Sequence, residues 1–117
     1  MKHTVLVVED EQDLREMMSE ALERSGYSVV AAEDGHQALA QLPQIEHLCL
    51  VILDLIMPGM DGWDLFQEVR RRSELDAVPI LVYSSVPNRA PRGATRVLEK
   101  PMGFDQLLMT VREYCAA

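Results

Sequence analysis

The sequence LVILD at residues 50–54 joins an unbroken apolar run to a single acidic residue. Three further segments are continuous or nearly continuous apolar runs: VLVV at residues 5–8, PILVY at 79–83 and VL at 97–98. Strands buried on both faces of a parallel sheet read as continuous apolar runs rather than as alternating patterns. Together with a strand over residues 27–32, these runs predict a five-stranded parallel sheet.

Helical patterns fill the intervals between the predicted strands. Apolar residues spaced i, i+3, i+4, i+7 and i+8 from Leu14 predict a first helix, which Gly26 is placed to end. A second helix is predicted to open at Asp34, a third to be capped by Asp61, and a last to begin near Gly103. This alternation predicts right-handed βαβ units with helices on both faces. A flavodoxin-like, doubly wound sheet of order 2-1-3-4-5 fits it.

Polar side chains follow four of the predicted strands at the point where each strand ends. Glu9 and Asp10 follow the first strand, Asp54 the third, Ser84 the fourth, and Lys100 comes shortly after the fifth. Ligands of open α/β sheets bind outside the carboxyl ends of the strands. We therefore expect three carboxylates, a hydroxyl and an ammonium group to meet at one edge of the sheet.

The composition is that of one globular domain. The chain has 117 residues, 48% of them hydrophobic and 26% charged, with a formal net charge of −8. An acidic domain repels nucleic acid and anionic membranes, so neither is an expected direct partner. Cys49 and Cys115 have no metal-binding spacing and are predicted to be two reduced thiols of a cytoplasmic protein. The apolar stretch near the amino terminus is too short for a signal peptide or a membrane span.

The three acidic residues at the predicted edge favour a divalent cation. Each acid alone could simply cap the helix or turn that follows it. Three close carboxylates, however, raise each other's pKa unless a cation intervenes, and Mg²⁺ is the hard cation that binds a few carboxylates and bridges to phosphate. No histidine or cysteine belongs to the group, which disfavours zinc.

Asp54 is also a candidate nucleophile. A carboxylate can carry an aspartyl phosphate, and phosphoryl transfer depends mainly on positioning and on neutralisation of charge. Lys100 would supply a positive charge, and Ser84 would donate a hydrogen bond to a phosphoryl oxygen. Alone, neither residue would be distinguishable from a surface lysine or a turn serine.

At this point the chain resembles, over essentially its whole length, the receiver domain of two-component response regulators, similar to the chemotaxis regulators. The resemblance implies one receiver domain over residues 1–117. The motifs that carry it are Glu9-Asp10, Asp54, MPGMDG at residues 57–62, Ser84 and Lys100-Pro101.

The resemblance implies a phosphorylation switch in signal transduction rather than an enzyme acting on a separate metabolite. Asp54 would accept a phosphoryl group from a sensor histidine kinase or phosphotransfer protein, Lys100 would contact that group, and Ser84 would move toward it. The phosphorylated domain would signal to a downstream protein or to an attached output domain. Kinase docking is expected beside the first helix and the turn after Lys100.

The resemblance also implies the ligands of the metal. Glu9, Asp10 and Asp54 would bind Mg²⁺ with their carboxylates, and the backbone carbonyl of Ile56 would be a further ligand. The domain would catalyse only its own phosphorylation and dephosphorylation.

The segment between strands four and five departs from the family pattern. Val97 stands three positions before Lys100, where the family usually has an aromatic residue that changes its exposure. Residues 86–93 lack an amphipathic pattern, and Pro87 and Pro91 oppose a long helix in the short segment 86–96. We therefore predict a shortened or missing fourth helix between these strands.

A second departure concerns the lifetime of the phosphorylated state. In the family, the side chains two positions after the phosphorylated aspartate and two after the serine flank the path of the hydrolytic water. Here they are Ile56 and Val86, which cannot orient a water by hydrogen bonding. Slow autodephosphorylation is the expected consequence.

Three alternatives remain open at the level of sequence. The chain could be a receiver-fold interaction module that works without phosphorylation, although the full set of acidic residues, serine and lysine argues against this. A phosphohydrolase would normally have a second acid two residues after the nucleophile, where this chain has Ile56. A flavodoxin-like electron carrier would need a phosphate-binding loop after the first strand, and none is present.

Overall fold

The computed structural model describes residues 3–116 and contains the five-stranded parallel sheet expected from the apolar runs. Strand order is β2-β1-β3-β4-β5, which confirms the predicted order 2-1-3-4-5 and the doubly wound fold. The three inner strands are almost completely buried because helices or loops cover both of their faces. The strands are β1 (Thr4–Val8), β2 (Ser28–Ala32), β3 (Leu48–Leu53), β4 (Ile80–Ser84) and β5 (Arg96–Glu99).

Four α-helices pack against the two faces of this sheet. Helices α1 (Gln12–Arg24) and α4 (Phe104–Tyr114) cover one face, and α2 (Gly35–Gln41) and α3 (Gly62–Arg70) cover the other. Each pair of helices packs against one face of the sheet and forms a separate apolar cluster with it. Burial of these two clusters stabilises the sheet between the helix layers. The edge formed by the carboxyl ends of the strands is thereby left open between the helix layers.

The predicted caps orient the two helices on the second face. The carboxylate of Asp34 accepts a hydrogen bond from the backbone N–H of Gln37 at 2.9 Å, and that of Asp61 accepts one from Asp64 at 3.0 Å. Gly26, with a φ of 100°, follows the end of α1 as its position in the sequence predicts. These local signals set where each helix begins or ends relative to the strands.

The connection between β4 and β5 contains no α-helix; we call residues 85–95 the crossover segment. Its only regular element is a single 3₁₀ turn over Pro87–Arg89. The prediction of a shortened or missing fourth helix is therefore confirmed. The two prolines explain it, because each lacks the N–H that a helix interior requires.

The two cysteines contradict the prediction of reduced thiols. Cys49, in β3, and Cys115, directly after α4, form a disulfide with Cα atoms 5.7 Å apart, a separation in the usual range. The sequence hid this pairing because 66 positions separate the two residues, and only the packing of α4 against the sheet brings them together. The cysteines therefore give no support to a reducing compartment.

Within residues 3–116, none of the helices combines the length and hydropathy that crossing a bilayer requires.

Candidate phosphoacceptor and metal site

Neighbouring strands deliver the acidic residues to one edge of the sheet. Strand β1 pairs with β3 in parallel, with Val8 opposite Leu53, so the residues after each strand emerge side by side. The backbone N–H of Asp54 donates to the carbonyl of Val8 at 3.0 Å, which extends the pairing to Asp54 itself. Glu9 and Asp10 follow β1 immediately, as the sequence predicted.

The carboxylates of Glu9, Asp10 and Asp54 form one cluster. Each offers an oxygen that lies within 4.8 Å of the others. Glu9 is only 2% exposed and Asp54 7% exposed, whereas Asp10 faces solvent. Two nearly buried acids and one open acid form a site that is enclosed on the protein side and accessible from outside.

Lys100 supplies the positive charge of the cluster. Its Nζ lies 2.5 Å from Oε1 of Glu9 and 3.3 Å from Oδ2 of Asp54. The lysine is positioned by the backbone, because its N–H donates to the carbonyl of Ser84 at 2.9 Å and so continues the pairing of β5 with β4. A cis peptide joins it to Pro101.

Burial dominates the electrostatics of the two inner acids. It raises the pKa of Glu9 to about 7, against the opposing effect of the hydrogen bond from Lys100. Burial also raises the pKa of Asp54, again opposed by the charge of Lys100. Burial by itself would lower the pKa of Lys100, but its hydrogen bond to Glu9 and the nearby Asp54 charge outweigh burial and raise it. Lys100 therefore offsets only part of the effect of burial on the pKa values of Glu9 and Asp54.

Ser84 and Ile56 lie at the same edge with different environments. Ser84 ends β4 and is completely buried, and its Oγ accepts a hydrogen bond from the backbone N–H of Val86 at 3.1 Å. The side chain of Ile56, two positions after Asp54, is 50% exposed. A hydrogen bond from the Ile56 backbone to Asp54 acts to lower the pKa of that acid.

Arg15 and Gly62 support the site, and the sequence analysis missed both. The Arg15 guanidinium in α1 donates to the backbone carbonyls of Glu9 at 2.8 Å and Asp10 at 3.3 Å. Gly62, the first residue of α3, donates its N–H to the carbonyl of Leu55 at 2.9 Å. The MPGMDG motif contained a signal for Gly62, but Arg15 had none beyond its position in the first helix.

Gly62 lies so close to Asp54 that any side chain would collide with the backbone. A Cβ atom on Gly62 would lie 2.3 Å from the Asp54 carbonyl oxygen and 2.6 Å from the Cα of Leu55. Backbone atoms cannot rotate away, so we expect Gly62→Ala to destabilise the fold by about 3 kcal/mol and lower Tm by roughly 10 °C. Urea and thermal unfolding measure both quantities.

Gly103 offers a matched control for this substitution. A Cβ on Gly103 would meet no heavy atom within 4 Å, so Gly103→Ala should change stability by no more than about 0.5 kcal/mol. Equal effects of the two substitutions would contradict the close approach of α3 to the Asp54 peptide.

An apolar groove opens beside Lys100. It has a volume of about 380 Å³ and is lined in part by Leu14 from α1 and by Pro101, Met102 and Phe104 from the turn into α4. The groove coincides with the place where the sequence resemblance predicts kinase docking.

Comparison with known proteins identifies a shared domain. A family model described as "Response regulator receiver domain" matches residues 5–112. The transcriptional regulatory protein HprR of Escherichia coli (strain K12) is 34% identical over 92% of this chain and 49% of its own length. The chain spans about half the length of the curated relatives it matches.

Solved structures agree in fold over almost the whole chain. The chemotaxis protein CheY4 of Vibrio cholerae superposes with a TM-score of 0.87 at 32% identity, covering 97% of this chain and 99% of that one. The response regulator protein TrrA of Thermotoga maritima, solved in complex with Mg(2+)-BeF, gives 0.83 at 30% identity and covers the same shares.

Proposed function

The chain belongs to the response regulator receiver domain family, and from that premise we propose that residues 1–117 form one receiver domain that is phosphorylated on Asp54. The observation that carries this assignment is the position of Lys100, whose Nζ contacts both Glu9 and Asp54 at the carboxyl edge of the sheet. Receiver domains are generally not enzymes in the classical sense. The modification of Asp54 is itself the signal.

In the proposed reaction, a carboxylate oxygen of Asp54 attacks the phosphorus of a phosphohistidine. The new Asp54 O–P bond forms as the P–N bond breaks, and the imidazole leaves with the electron pair. The Lys100 ammonium neutralises charge on the transferred group, and the Ser84 hydroxyl donates a hydrogen bond to one of its oxygens. Ser84 thereby senses whether Asp54 is phosphorylated.

We further propose that Mg²⁺ is the cofactor. The donor set fits it, because three carboxylates offer oxygens within 4.8 Å of one another and no histidine or cysteine joins them among residues 3–116. Glu9, Asp10 and Asp54 would hold the ion, with the backbone carbonyl of Ile56 as a further ligand. When bound, Mg²⁺ would neutralise carboxylate and phosphoryl oxygens together. Glu9 and Asp54 are nearly buried and share the single ammonium group of Lys100, so a further positive charge would stabilise their ionised forms.

The proposed donor is a sensor histidine kinase or a phosphotransfer protein. The apolar groove beside Lys100 adjoins the acceptor site and could seat a helix that carries the donor histidine. Such donors obtain their phosphoryl group from ATP, so we propose that the domain acts in the cytoplasm. The proposed recipient is a downstream protein or an attached output domain, since the curated relatives are about twice as long as this chain.

The main alternative is a receiver-fold interaction module that works without phosphorylation. Uptake of a phosphoryl group from a small donor such as acetyl phosphate, in the presence of Mg²⁺, separates the two functions. Stable uptake that depends on Asp54 supports the phosphoacceptor, and absence of uptake supports the interaction module.

The phosphorylated state should decay slowly, because Ile56 cannot orient a hydrolytic water. Its side chain is half exposed and lies two positions after Asp54, so a polar replacement would be open to solvent near the acceptor. We expect Ile56→Asn or Val86→Glu to accelerate decay by about five- to ten-fold, the value of one hydrogen bond to the attacking water. A decay assay by intact mass measures the rate.

Ile56→Leu is the matched control for this prediction, because it preserves size and apolar character. It should decay at the rate of the original chain. Unchanged or slower decay in both polar variants would contradict the proposed role of these positions.

A further inference from the structure

The usual relay of the family lacks its aromatic component in this chain. Val97 occupies that position in β5 and is 38% exposed, with no ring that could exchange between two environments. The crossover segment, residues 85–95, also lacks the helix that would respond to such a movement. If phosphorylation changes the surface of this domain, another contact must connect Asp54 to the crossover segment.

Trp63 and Arg89 make two contacts that join α3 to the crossover segment. The indole Nε1–H of Trp63 donates to the backbone carbonyl of Arg89 at 2.8 Å. The Arg89 guanidinium also lies over the indole ring, 5.2 Å from its centroid. One residue pair thus fixes both the backbone and the side chain of the 3₁₀ turn.

The α3 end of this contact is attached to the phosphoacceptor. Trp63 follows Gly62, which packs against the carbonyl of Asp54 and donates a hydrogen bond to Leu55. A tight backbone contact of this kind transmits small displacements, since it has no side chain that could absorb them. The start of α3, and with it the backbone of Trp63, is therefore held close to Asp54.

On its other side, the Trp63–Arg89 contact is connected to Ser84 through hydrogen bonds of the crossover segment. The Ser84 Oγ accepts a hydrogen bond from the N–H of Val86, and the carbonyl of Val86 in turn accepts one from the N–H of Arg89 at 3.0 Å. Turning the Ser84 hydroxyl toward a phosphoryl group on Asp54 would break its bond to Val86. The 3₁₀ turn would then lose a restraint at Ser84, which weakens its contact with the Trp63 indole.

We propose that the Trp63–Arg89 contact is the coupling element of this receiver: it holds the crossover segment in the unphosphorylated state and opens when Asp54 is phosphorylated. This inference rests on the proposed function. Trp63 acts here as a positioning residue, because it touches neither Asp54 nor the transferred group among the contacts described above.

Amide hydrogen exchange measured by NMR tests the proposal on the 117-residue chain, with acetyl phosphate and Mg²⁺ as the donor system and intact mass as the check of uptake. Loss of one hydrogen bond corresponds to about a five-fold shift in local opening, so the Arg89 and Ala90 amides should exchange about five-fold faster after phosphorylation. Trp63 is the only tryptophan, so quenching of its fluorescence by iodide should rise in parallel.

Variants separate coupling from mere stabilisation. Trp63→Phe removes the indole N–H, so the Arg89 and Ala90 amides should already exchange fast before phosphorylation. Phosphorylation should then increase their exchange rates only slightly. Arg89→Lys keeps the carbonyl and a cation over the ring, so it should retain the phosphorylation-dependent increase. Arg89→Ala, at an exposed position that threatens the fold least, should lose part of that increase.

The outcomes are distinguishable. A chain that gains phosphoryl mass without faster exchange or greater quenching overturns the coupling and leaves the proposed function intact. Full retention of the increase in Trp63→Phe also overturns it. A chain that gains no mass overturns the proposed function, and the coupling with it.

Discussion

With Mg²⁺ and acetyl phosphate, the chain should gain the mass of one phosphoryl group, and Asp54→Asn should gain none. Asparagine preserves the size of the side chain but removes the nucleophilic oxygen, so the rate of uptake should fall by about a thousand-fold or more. Asp54 and Glu9 are both buried and both contact Lys100, and Asp54 is the one that directly follows β3 in the middle of the sheet. Intact mass spectrometry over a time course measures the rate.

Asp61→Asn is a matched control for this substitution. It removes a carboxylate from the same loop while keeping an acceptor that caps α3, because asparagine is an equally good N-cap. It should take up phosphate at the original rate. Because Mg²⁺ is the proposed cofactor, addition of EDTA should reduce phosphoryl uptake by the original chain and by Asp61→Asn alike.

Other results would redirect the assignment. Uptake by Asp54→Asn at the original rate would place the acceptor elsewhere in the chain. No uptake by the original chain would favour the interaction module, and rapid release of inorganic phosphate would favour the hydrolase.

The elements that depend on local sequence were the ones that could be predicted. Apolar runs identify strands, and Asp34 and Asp61 cap helices whose backbone donors lie only three residues away. The acidic cluster was also predictable, because Glu9 and Asp54 directly follow strands that become neighbours in any sheet of this order. Two prolines within eleven positions were enough to exclude a regular helix in the crossover segment.

The contacts that could not be predicted join residues far apart along the chain. The Trp63–Arg89 pair is 26 positions apart, and the bond depends on the path of an irregular segment that no periodicity describes. The disulfide depends on where the last turn of α4 meets the start of β3. Spacing alone favoured reduced thiols, since neither cysteine belongs to a recognisable motif. Long-range packing decides such contacts, and a single sequence contains little information about it.

Removal of the disulfide is expected to give the largest loss of stability. Closing a loop with a sequence separation of 66 between Cys49 and Cys115 destabilises the unfolded chain by about 4 kcal/mol. That is a large part of the total stability of a typical domain, which is about 5–15 kcal/mol. The double variant Cys49→Ala, Cys115→Ala should therefore unfold at markedly lower urea concentration than the oxidised chain.

The reductant dithiothreitol provides the control, because it should destabilise the original chain to a similar extent and leave the double variant unchanged. Under conditions in which the oxidised chain and the double variant are both folded, their rates of phosphoryl uptake should agree within about two-fold. Cys49 is remote from the acceptor, because its distance along β3 to Asp54 is roughly 16 Å at ordinary strand spacing. The hydroxyl of Tyr27 would still donate to the carbonyl of residue 115, so the end of α4 keeps one anchor. An unfolding midpoint that is the same with and without dithiothreitol would show that the two thiols are not joined in solution.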